Sequence, residues 1–336
     1  MRYRPLGTTG LTVSEIGFGA WGIGGLSNGA SSYGETNDAT STAALRLAFD
    51  LGVTFFDTAD VYGYGHSEEL IGQALGSQRD KIVIASKGGF LEHLGPQNFT
   101  PAFLRRALES SLTRLGTTYV DLYQLHSAKL DQVKAEGAVE CLKDLMKEGK
   151  IRAMGISVRS PEDGLVAARD LGFQAIQVNF NLADQRALDV GLFEYCRANG
   201  VAIIARTPLC FGFLTGHVSE TTQFDSRDHR STRSAEQRAL WVKASRLFGE
   251  VLDENETATR TQQALRFVLS YPEVSTAIPG MLELPHVREN TAAGDLGPLS
   301  EDKLRRLRKL FEEHEFYLRD YSPPPIPFSG APTHIQ

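Results

Sequence analysis

Residues 53–69, VTFFDTADVYGYGHSEE, are the stretch around which the rest of the chain is organised. An apolar, partly β-branched run leads into Asp57, and Tyr62 follows in the next few residues. Ser67 and the acidic residues after it are typical of the first turn of a helix. The pattern therefore predicts a buried strand that ends at a carboxylate, then a loop that carries a phenol.

Two later apolar runs end in the same way. Residues 82–87 finish at Lys87, and residues 120–126 finish at His126. Carboxyl ends of parallel strands meet at one edge of a sheet, and active sites of barrel folds lie at that edge. We therefore expect Lys87 and His126 to share one rim with the carboxylate and the phenol.

Strand and helix patterns alternate along the chain from the glycine-rich residues 15–25 to a helix at 285–293. Strict alternation implies parallel strands joined by right-handed crossovers. Eight such units over about 280 residues favour a closed (β/α)8 TIM barrel, an α/β fold, over an open doubly wound sheet. No linker interrupts the pattern, so we predict a single domain over residues 1–336.

Three segments lie outside these units. Residues 1–14 read as a β-hairpin around a turn at 7–10, and we expect this hairpin to plug the bottom of the barrel. Residues 216–234 form a long polar loop. The C-terminal extension ends in an irregular tail, 320–336, because its run of three prolines is incompatible with a helix.

Composition excludes several classes of function. The net charge is −6, and no basic cluster is dense enough to indicate a nucleic-acid partner. No apolar run approaches the roughly 20 residues that cross a bilayer, and no signal peptide is evident, so we expect no membrane partner and a cytoplasmic location. Nothing in the sequence sets the oligomeric state.

No metal site is expected. The cysteines, Cys141, Cys196 and Cys210, are not at ligand spacing and read as buried small hydrophobes of a reducing compartment. His217 and His229 lie in the long polar loop, again without ligand spacing, and we expect that loop to be solvated.

The four rim residues complement each other chemically. A phenol has a pKa of about 10 and donates a proton poorly at neutral pH unless its surroundings change that value. A nearby ammonium stabilises the phenolate, and a carboxylate keeps the ammonium charged and in place. An imidazole can orient a carbonyl oxygen. Asp57, Tyr62, Lys87 and His126 together can therefore give a proton to a carbonyl oxygen or remove one from an alcohol.

Several motifs resemble those of the aldo-keto reductases, in the same order along the chain. They are FFDTADVYG at 55–63, SK at 86–87, LYQLH at 122–126, GKIRAMGIS at 149–157, IPG at 278–280 and EN at 289–290. The resemblance covers nearly the whole chain, from about Tyr3 to Phe316. It implies a (β/α)8 barrel that binds a nicotinamide dinucleotide without a Rossmann domain.

The resemblance implies a role for each rim residue. Tyr62 corresponds to the general acid, Lys87 and Asp57 to the pair that lowers its pKa, and His126 to the group that positions the carbonyl. Trp21 corresponds to a residue that lines the substrate pocket.

The resemblance also implies a set of cofactor contacts. Ser157 and Gln177 would hold the carboxamide of the nicotinamide, and Arg206 stands where the family often has an aromatic stacked on that ring. The contacts implied farther along the cofactor are Pro208, Leu209, Gly212 and Leu214 over the pyrophosphate, and Gly280, Met281, His286 and Asn290 towards the adenosine.

Two departures from the family pattern bear on the cofactor. Val158 replaces the asparagine that commonly follows the carboxamide serine, so its hydrogen bond is missing. In the last loop, the carboxylate of Glu283 would repel a 2′-phosphate but could accept a hydrogen bond from a ribose 2′-hydroxyl. Arg288 is the permanently charged cation close to it. NADP(H) is favoured on family grounds, and NAD(H) stays open.

The implied activity is NAD(P)H-dependent hydride transfer between the cofactor and the carbonyl or alcohol of an aldehyde, ketone or sugar-type substrate. Two alternatives stay open, an aldose or sugar dehydrogenase working in the oxidative direction and a cofactor-binding regulatory subunit on the same barrel. The expected pocket mixes aromatic and polar groups, which suits sugars and polar aromatic ketones equally. Besides Trp21 and the long loop, it would include Tyr64, His93, Phe211, Phe213, Phe316 and Tyr321.

Overall fold

The computed structural model describes residues 1–27, 32–253 and 257–318, so the predicted tail 320–336 and its Tyr321 lie outside the described residues. Two strands form an amino-terminal hairpin, and eight form the main sheet. The strands are β1 Tyr3–Pro5, β2 Thr12–Ser14, β3 Phe18–Gly19, β4 Phe55–Asp57, β5 Val83–Gly88, β6 Val120–Leu125, β7 Ile151–Ser157, β8 Ala175–Asn179, β9 Ala202–Arg206 and β10 Val274–Ala277.

Helices follow each strand of the main sheet and surround it. They are α1 Asp38–Asp50, α2 His66–Leu75, α3 Pro101–Leu115, α4 Leu130–Ala135, α5 Ala138–Lys147, α6 Pro161–Asp170, α7 Arg186–Asp189, α8 Leu192–Asn199, α9 Ala235–Leu252, α10 Arg260–Leu269, α11 Leu284–Ala292 and α12 Glu301–Glu313. Among the helices described, none has both the length and the apolar run that crossing a bilayer requires.

The main sheet closes into a barrel. Its strands run in the order β3 to β10, and every neighbouring pair is parallel. Bridges from Ile16 to Ala277 and from Gly19 to Gly280 join the first strand to the last. The approach is close, because a Cβ on Gly19 would lie only 2.7 Å from the carbonyl oxygen of Ile278. The predicted (β/α)8 barrel is therefore confirmed.

The hairpin seals the amino-terminal end of this barrel. Leu6 and Val13 are fully buried and pack with apolar residues that the strands turn inward. The Thr8 amide also donates to the Gly200 carbonyl, 2.8 Å away, just before β9. These inward residues of the lower barrel are Phe55, Val83, Ala85, Leu122, Ala153, Ala175, Ala202 and Ile204. The predicted plug is confirmed.

The upper barrel has a different lining. Side chains alternate across a strand, so residues two or four positions beyond the apolar layer face the same interior. These residues are polar on six consecutive strands. They are Asp57, Lys87, Gln124, Ser157, Gln177 and Arg206. Each of these six strands thus changes from apolar to polar inward side chains towards its carboxyl end.

Some elements differ from the sequence-based expectation. Helix α2 begins one residue early, after Gly65, because the Ser67 hydroxyl donates to the Ala20 carbonyl and accepts from Thr58 instead of capping the helix. Helices α4, α7 and α12 were not predicted from the sequence. The long loop 216–234 is irregular except for a 3-10 turn at His229–Thr232.

Candidate active site

The Tyr62 loop packs closely, backbone to backbone, against the 3-10 turn Gly22–Gly24 that follows β3. A Cβ on Gly24 would lie 2.9 Å from the Tyr62 carbonyl oxygen, and one on Gly63 would lie closer still to Gly24. Gly63 also has a φ of +60°, which disfavours any side chain there. These glycines leave the phenol little freedom of position.

Lys87 is the centre of the site. Its Nζ donates to Asp57 Oδ1 at 2.5 Å, to the Thr58 carbonyl at 2.8 Å and to Tyr62 Oη at 3.2 Å. The lysine side chain has no exposed surface. All three donor positions of the ammonium are thus used inside the protein, and one is aimed at the phenol.

Two glutamines hold the other carboxylate oxygen. Gln177 Nε2 donates to Asp57 Oδ2 at 2.7 Å, and Gln124 Nε2 donates to the same atom at 3.1 Å. Sequence reasoning missed Gln124, although the strand alternation that places His126 inward also places the residue two positions earlier. Asp57 therefore has a hydrogen bond or an ion pair on each oxygen.

The electrostatics correct one expectation about the phenol. Burial raises the pKa of Tyr62, Lys87 lowers it, and Asp57 raises it, with a net direction above the ordinary value. Burial lowers the pKa of Lys87, but Asp57 and Tyr62 outweigh that effect and raise it. Asp57 raises the pKa of Lys87 and so favours its charged form, whereas the direct effect of Asp57 on the pKa of Tyr62 is opposite in direction to the prediction.

His126 lies beside the phenol as an uncharged ring. Its centroid is 5.6 Å from that of Tyr62 and 4.9 Å from that of Phe90. Burial, with smaller contributions from Lys87 and His93, holds the pKa of His126 well below its usual range. A neutral imidazole can donate one hydrogen bond to a carbonyl oxygen without taking its proton.

Arg206 and Ser157 meet at the same rim. Arg206 Nη1 donates to Ser157 Oγ at 3.2 Å, and Nη2 donates to the Val158 carbonyl at 2.7 Å. Burial lowers the pKa of this guanidinium, whose charge also acts on Tyr62. The structure anchors Arg206 on the end of β7, and its stacking on a nicotinamide stays a prediction.

The remaining predicted cofactor residues differ in how far they are buried. Pro208, Leu214, Met281 and Asn290 are buried, whereas Leu209 and Gly212 are half-buried and Gly280 and His286 are exposed. The side chains of Leu214 and Met281 pack in the main hydrophobic core. Any part that these two residues have in cofactor binding is therefore through their backbone.

The segment after β9 has an unusual backbone. Thr207, Cys210 and Phe211 all have positive φ values, and Gly212 follows with +90°. Positive φ costs energy for residues with a side chain, and such strain concentrates at functional sites. This supports the prediction that the segment after β9 contacts a ligand.

Trp21 packs within a group of aromatic rings over the mouth of the barrel. Its centroid lies 4.7 Å from that of His229, 5.8 Å from that of His93 and 6.5 Å from that of Tyr62. Tyr33, which the sequence analysis did not single out, is 5.3 Å away. The predicted pocket residue is thus beside the phenol.

Three expectations about this pocket change. His229 was expected in a solvated loop, but only 3% of it is exposed, because it packs among aromatic rings. Phe213 and Phe316 were expected in the pocket, but both belong to the main hydrophobic core.

No cluster of three metal-ligating side chains occurs in the described parts of the chain.

Comparison with known proteins agrees with this geometry. The sequence pattern of the Aldo/keto reductase family matches residues 15–312. The aldo-keto reductase yakc of Schizosaccharomyces pombe, whose name specifies NADP(+), is 30% identical, with 93% of this chain and 92% of the relative covered. The NADH-specific methylglyoxal reductase of Escherichia coli is 29% identical, with 94% and 100% covered.

A solved structure gives the same answer for the fold. The aldo-keto reductase AKR11C1 from Bacillus halodurans, in its holo form, superimposes with a TM-score of 0.76 at 27% identity. The match covers 92% of this chain and 96% of that one. The chain belongs to the aldo-keto reductase family and is an NAD(P)H-dependent oxidoreductase.

Proposed function

We propose that this protein transfers a hydride between a nicotinamide cofactor and the carbonyl or alcohol carbon of an aldehyde, ketone or sugar-type substrate. Tyr62 is the proton donor in reduction and the acceptor in oxidation. The observation that carries this proposal is the position of Lys87 Nζ, 3.2 Å from Tyr62 Oη and 2.5 Å from Asp57 Oδ1.

The chemistry of reduction divides between cofactor and protein. The reduced nicotinamide supplies the hydride when it is bound. The substrate carbonyl oxygen accepts hydrogen bonds from the Tyr62 hydroxyl and from neutral His126, which orient it. As negative charge develops on that oxygen, Tyr62 gives up its proton, because an alkoxide is far more basic than a phenolate. Lys87 stabilises the phenolate that remains.

The residues at the rim fit the carboxamide of a nicotinamide. Ser157 Oγ accepts from Arg206, so its own hydroxyl hydrogen can be donated to the carboxamide oxygen. Gln177 uses Nε2 for Asp57 and Gln124, so its Oε1 is the atom that can accept from the carboxamide nitrogen. A donor and an acceptor on neighbouring strands match the two ends of one amide group.

The first turn of α11 fits the phosphate end. The helix has a proline in its first turn, and no side chain caps its amino terminus. Backbone N–H groups at such an end favour an anion. This supports cofactor binding near Gly280, His286 and Asn290, whose amide Nδ2 donates to the Gly280 carbonyl at 3.4 Å.

We propose NADP(H) as the preferred cofactor. Arg288 is exposed on α11 and can pair with a 2′-phosphate. The relatives include both preferences, so a direct titration of NADPH and NADH by protein fluorescence is the deciding measurement. We expect tighter binding of NADPH, and a tighter NADH complex would reverse the assignment.

The test of the catalytic proposal is Tyr62→Phe. We expect kcat for carbonyl reduction to fall by about 1,000-fold because the proton donor is lost, while the Kd for NADPH changes by less than about threefold. Tyr3→Phe is the matched control, since this tyrosine is 50% exposed and lies on the hairpin at the opposite end of the barrel. Unchanged turnover in Tyr62→Phe would exclude the role.

The same assay separates the enzyme from a regulatory subunit. An enzyme oxidises NADPH when a panel of aldehydes is added, whereas a cofactor-binding subunit does not. Running the assay with alcohols and NADP⁺ measures the oxidative direction. We also propose a cytoplasmic location, which the three buried free cysteines support.

A further inference from the structure

His229 is a buried imidazole whose ring nitrogens make no hydrogen bond. It is 3% exposed, and both Nδ1 and Nε2 are buried without a partner in the described chain. Its ring packs at 4.7 Å from Trp21, 4.9 Å from Tyr33 and 5.0 Å from Phe211. A phenylalanine would pack there as well and would leave no polar atom unsatisfied. These packing contacts therefore do not explain why the residue is a histidine.

The backbone that carries His229 is held independently of the ring. The His229 amide donates to the Ser32 carbonyl at 2.8 Å. Asp228 accepts two arms of the Arg230 guanidinium, with the closest contact at 2.6 Å, and that guanidinium lies 5.1 Å from the centre of the Tyr33 ring. These contacts join the loop after β3 to the loop after β9. They fix the position of the imidazole without using either ring nitrogen.

His93 is a second imidazole that packs against Trp21. It is 6% exposed, and its Nδ1 is buried without a partner among the described residues. Its ring lies 5.8 Å from Trp21 and 5.7 Å from the catalytic Tyr62. Two imidazoles thus pack against one indole beside the proposed proton donor.

Both rings are neutral at physiological pH. Burial, followed by the charge of Lys87, lowers the pKa of His93 to about 4. Burial, followed by the charges of Arg233 and Arg230, lowers the pKa of His229 to about 2. A neutral imidazole has one N–H donor and one acceptor nitrogen, so each ring can bind a hydroxyl group in either sense.

We propose that His93 and His229 bind hydroxyl groups on the carbons next to the substrate carbonyl, and that they make the enzyme selective for hydroxylated aldehydes over apolar aldehydes of equal length. The inference rests on the proposed function, since Tyr62 locates the carbonyl. Trp21 packs on the carbon chain of the substrate, next to the two imidazoles. A methyl group in place of a hydroxyl leaves buried polar atoms unpaired, which is a strong basis for rejection.

The first experiment compares kcat/KM for glyceraldehyde with that for propanal. We expect the ratio of the two values to favour glyceraldehyde in the native protein and to fall about 10-fold or more in His229→Phe and in His93→Phe. Both variants keep an aromatic ring in place. Comparing the ratio between variants cancels the hydration of each aldehyde in water, which is the same in every assay.

Two further variants control the experiment. His217→Gln alters an exposed histidine of the same loop, and we expect it to leave the ratio unchanged. His229→Gln keeps a donor and an acceptor, and we expect it to recover part of the selectivity that His229→Phe loses. A ratio that is the same in the native protein and in both phenylalanine variants overturns the inference.

The second experiment does not depend on turnover. The chain has two tryptophans, so labelling with 5-fluorotryptophan gives two fluorine resonances, and Trp21→Phe assigns them. We expect glycerol to shift the Trp21 resonance of the NADP⁺ complex at lower concentration than 1-propanol, and His229→Phe to remove that difference. Equal responses to the two alcohols in the native protein overturn the inference. A protein that shows this difference and yet reduces no aldehyde contradicts the proposed function alone.

Discussion

The lower and upper halves of the barrel interior are built on the same strands with opposite chemistry. In the lower half, inward side chains are apolar, and Leu6 and Val13 of the hairpin close them off. In the upper half, the inward positions carry a carboxylate, an ammonium, two amides, a hydroxyl and a guanidinium. Only a few residues of each strand separate the two layers.

This difference teaches how the fold supports a reactive site. Burial of apolar side chains in the lower half stabilises the barrel. The upper half buries Asp57 and Lys87, and desolvation of an ion pair offsets much of the attraction between the charges. The lower half therefore supplies rigidity, and the upper half uses that rigidity to hold groups that contribute little to folding.

The largest expected effect comes from the upper half. In Lys87→Met, kcat should fall by about 1,000-fold, or about 4 kcal/mol in the barrier, because the phenolate loses its cation. The free energy of unfolding should also drop by roughly 3 kcal/mol, because Asp57 is left buried without its cation. Initial rates and urea unfolding measure the two quantities.

A double variant sharpens that prediction. Asp57→Leu combined with Lys87→Met removes both charges, so we expect most of the stability to return while turnover stays lost. If the double variant is as unstable as Lys87→Met alone, the ion pair contributes to folding. The statement that the groups of the upper half contribute little to folding is then wrong.

A change in the lower half should give the reverse result. Leu6→Ala should lower the free energy of unfolding by about 3 kcal/mol, because it leaves a cavity in a fully buried plug. Leu6 lies at the opposite end of the barrel from Tyr62, so kcat of the folded protein should change by less than about twofold. Leu6→Met, which conserves volume, is the control and should cost less than about 1.5 kcal/mol. If Leu6→Ala lowers kcat strongly and stability only slightly, the proposed division between a stabilising lower half and a functional upper half is wrong.

The smallest effect concerns pH and the upper half. Because the pKa of His93 falls from 6.5 to about 4 on folding, the unfolded chain binds more protons between these values. Stability therefore decreases as pH falls from about 6.5 to about 4. His93→Phe should reduce this acid loss by roughly 2 kcal/mol, as followed by urea unfolding at several pH values. His217→Gln should leave the pH dependence unchanged, and a His93→Phe curve that matches the native one would contradict the prediction.

The sequence was most informative where local pattern and barrel geometry agree. Alternation along the strands predicts that Asp57, Lys87 and His126 reach one rim, and the structure brings them around Tyr62. Gly116 ends α3 in a left-handed conformation and Pro101 begins it, as their residue types predict. Helix ends depend on residues that are adjacent in the chain, and the direction of a strand side chain depends on the two-residue repeat of the strand.

The sequence was least informative where distant loops meet. His229 and Tyr33 touch across two loops that are far apart in the chain, so no local pattern indicates that the histidine is buried. The direction of the tyrosine pKa also escaped sequence reasoning, because burial of the whole loop outweighs the effect of one lysine.

Hydrophobic periodicity and turn residues alone determined the barrel, the plug and the strand ends that carry reactive groups, because these depend on short-range geometry that repeats. Tertiary structure decided which amide holds which carboxylate oxygen, which aromatic rings cover the mouth, and which imidazoles keep unpaired nitrogens. Those properties depend on desolvation and on contacts between segments far apart in sequence, which no local pattern encodes.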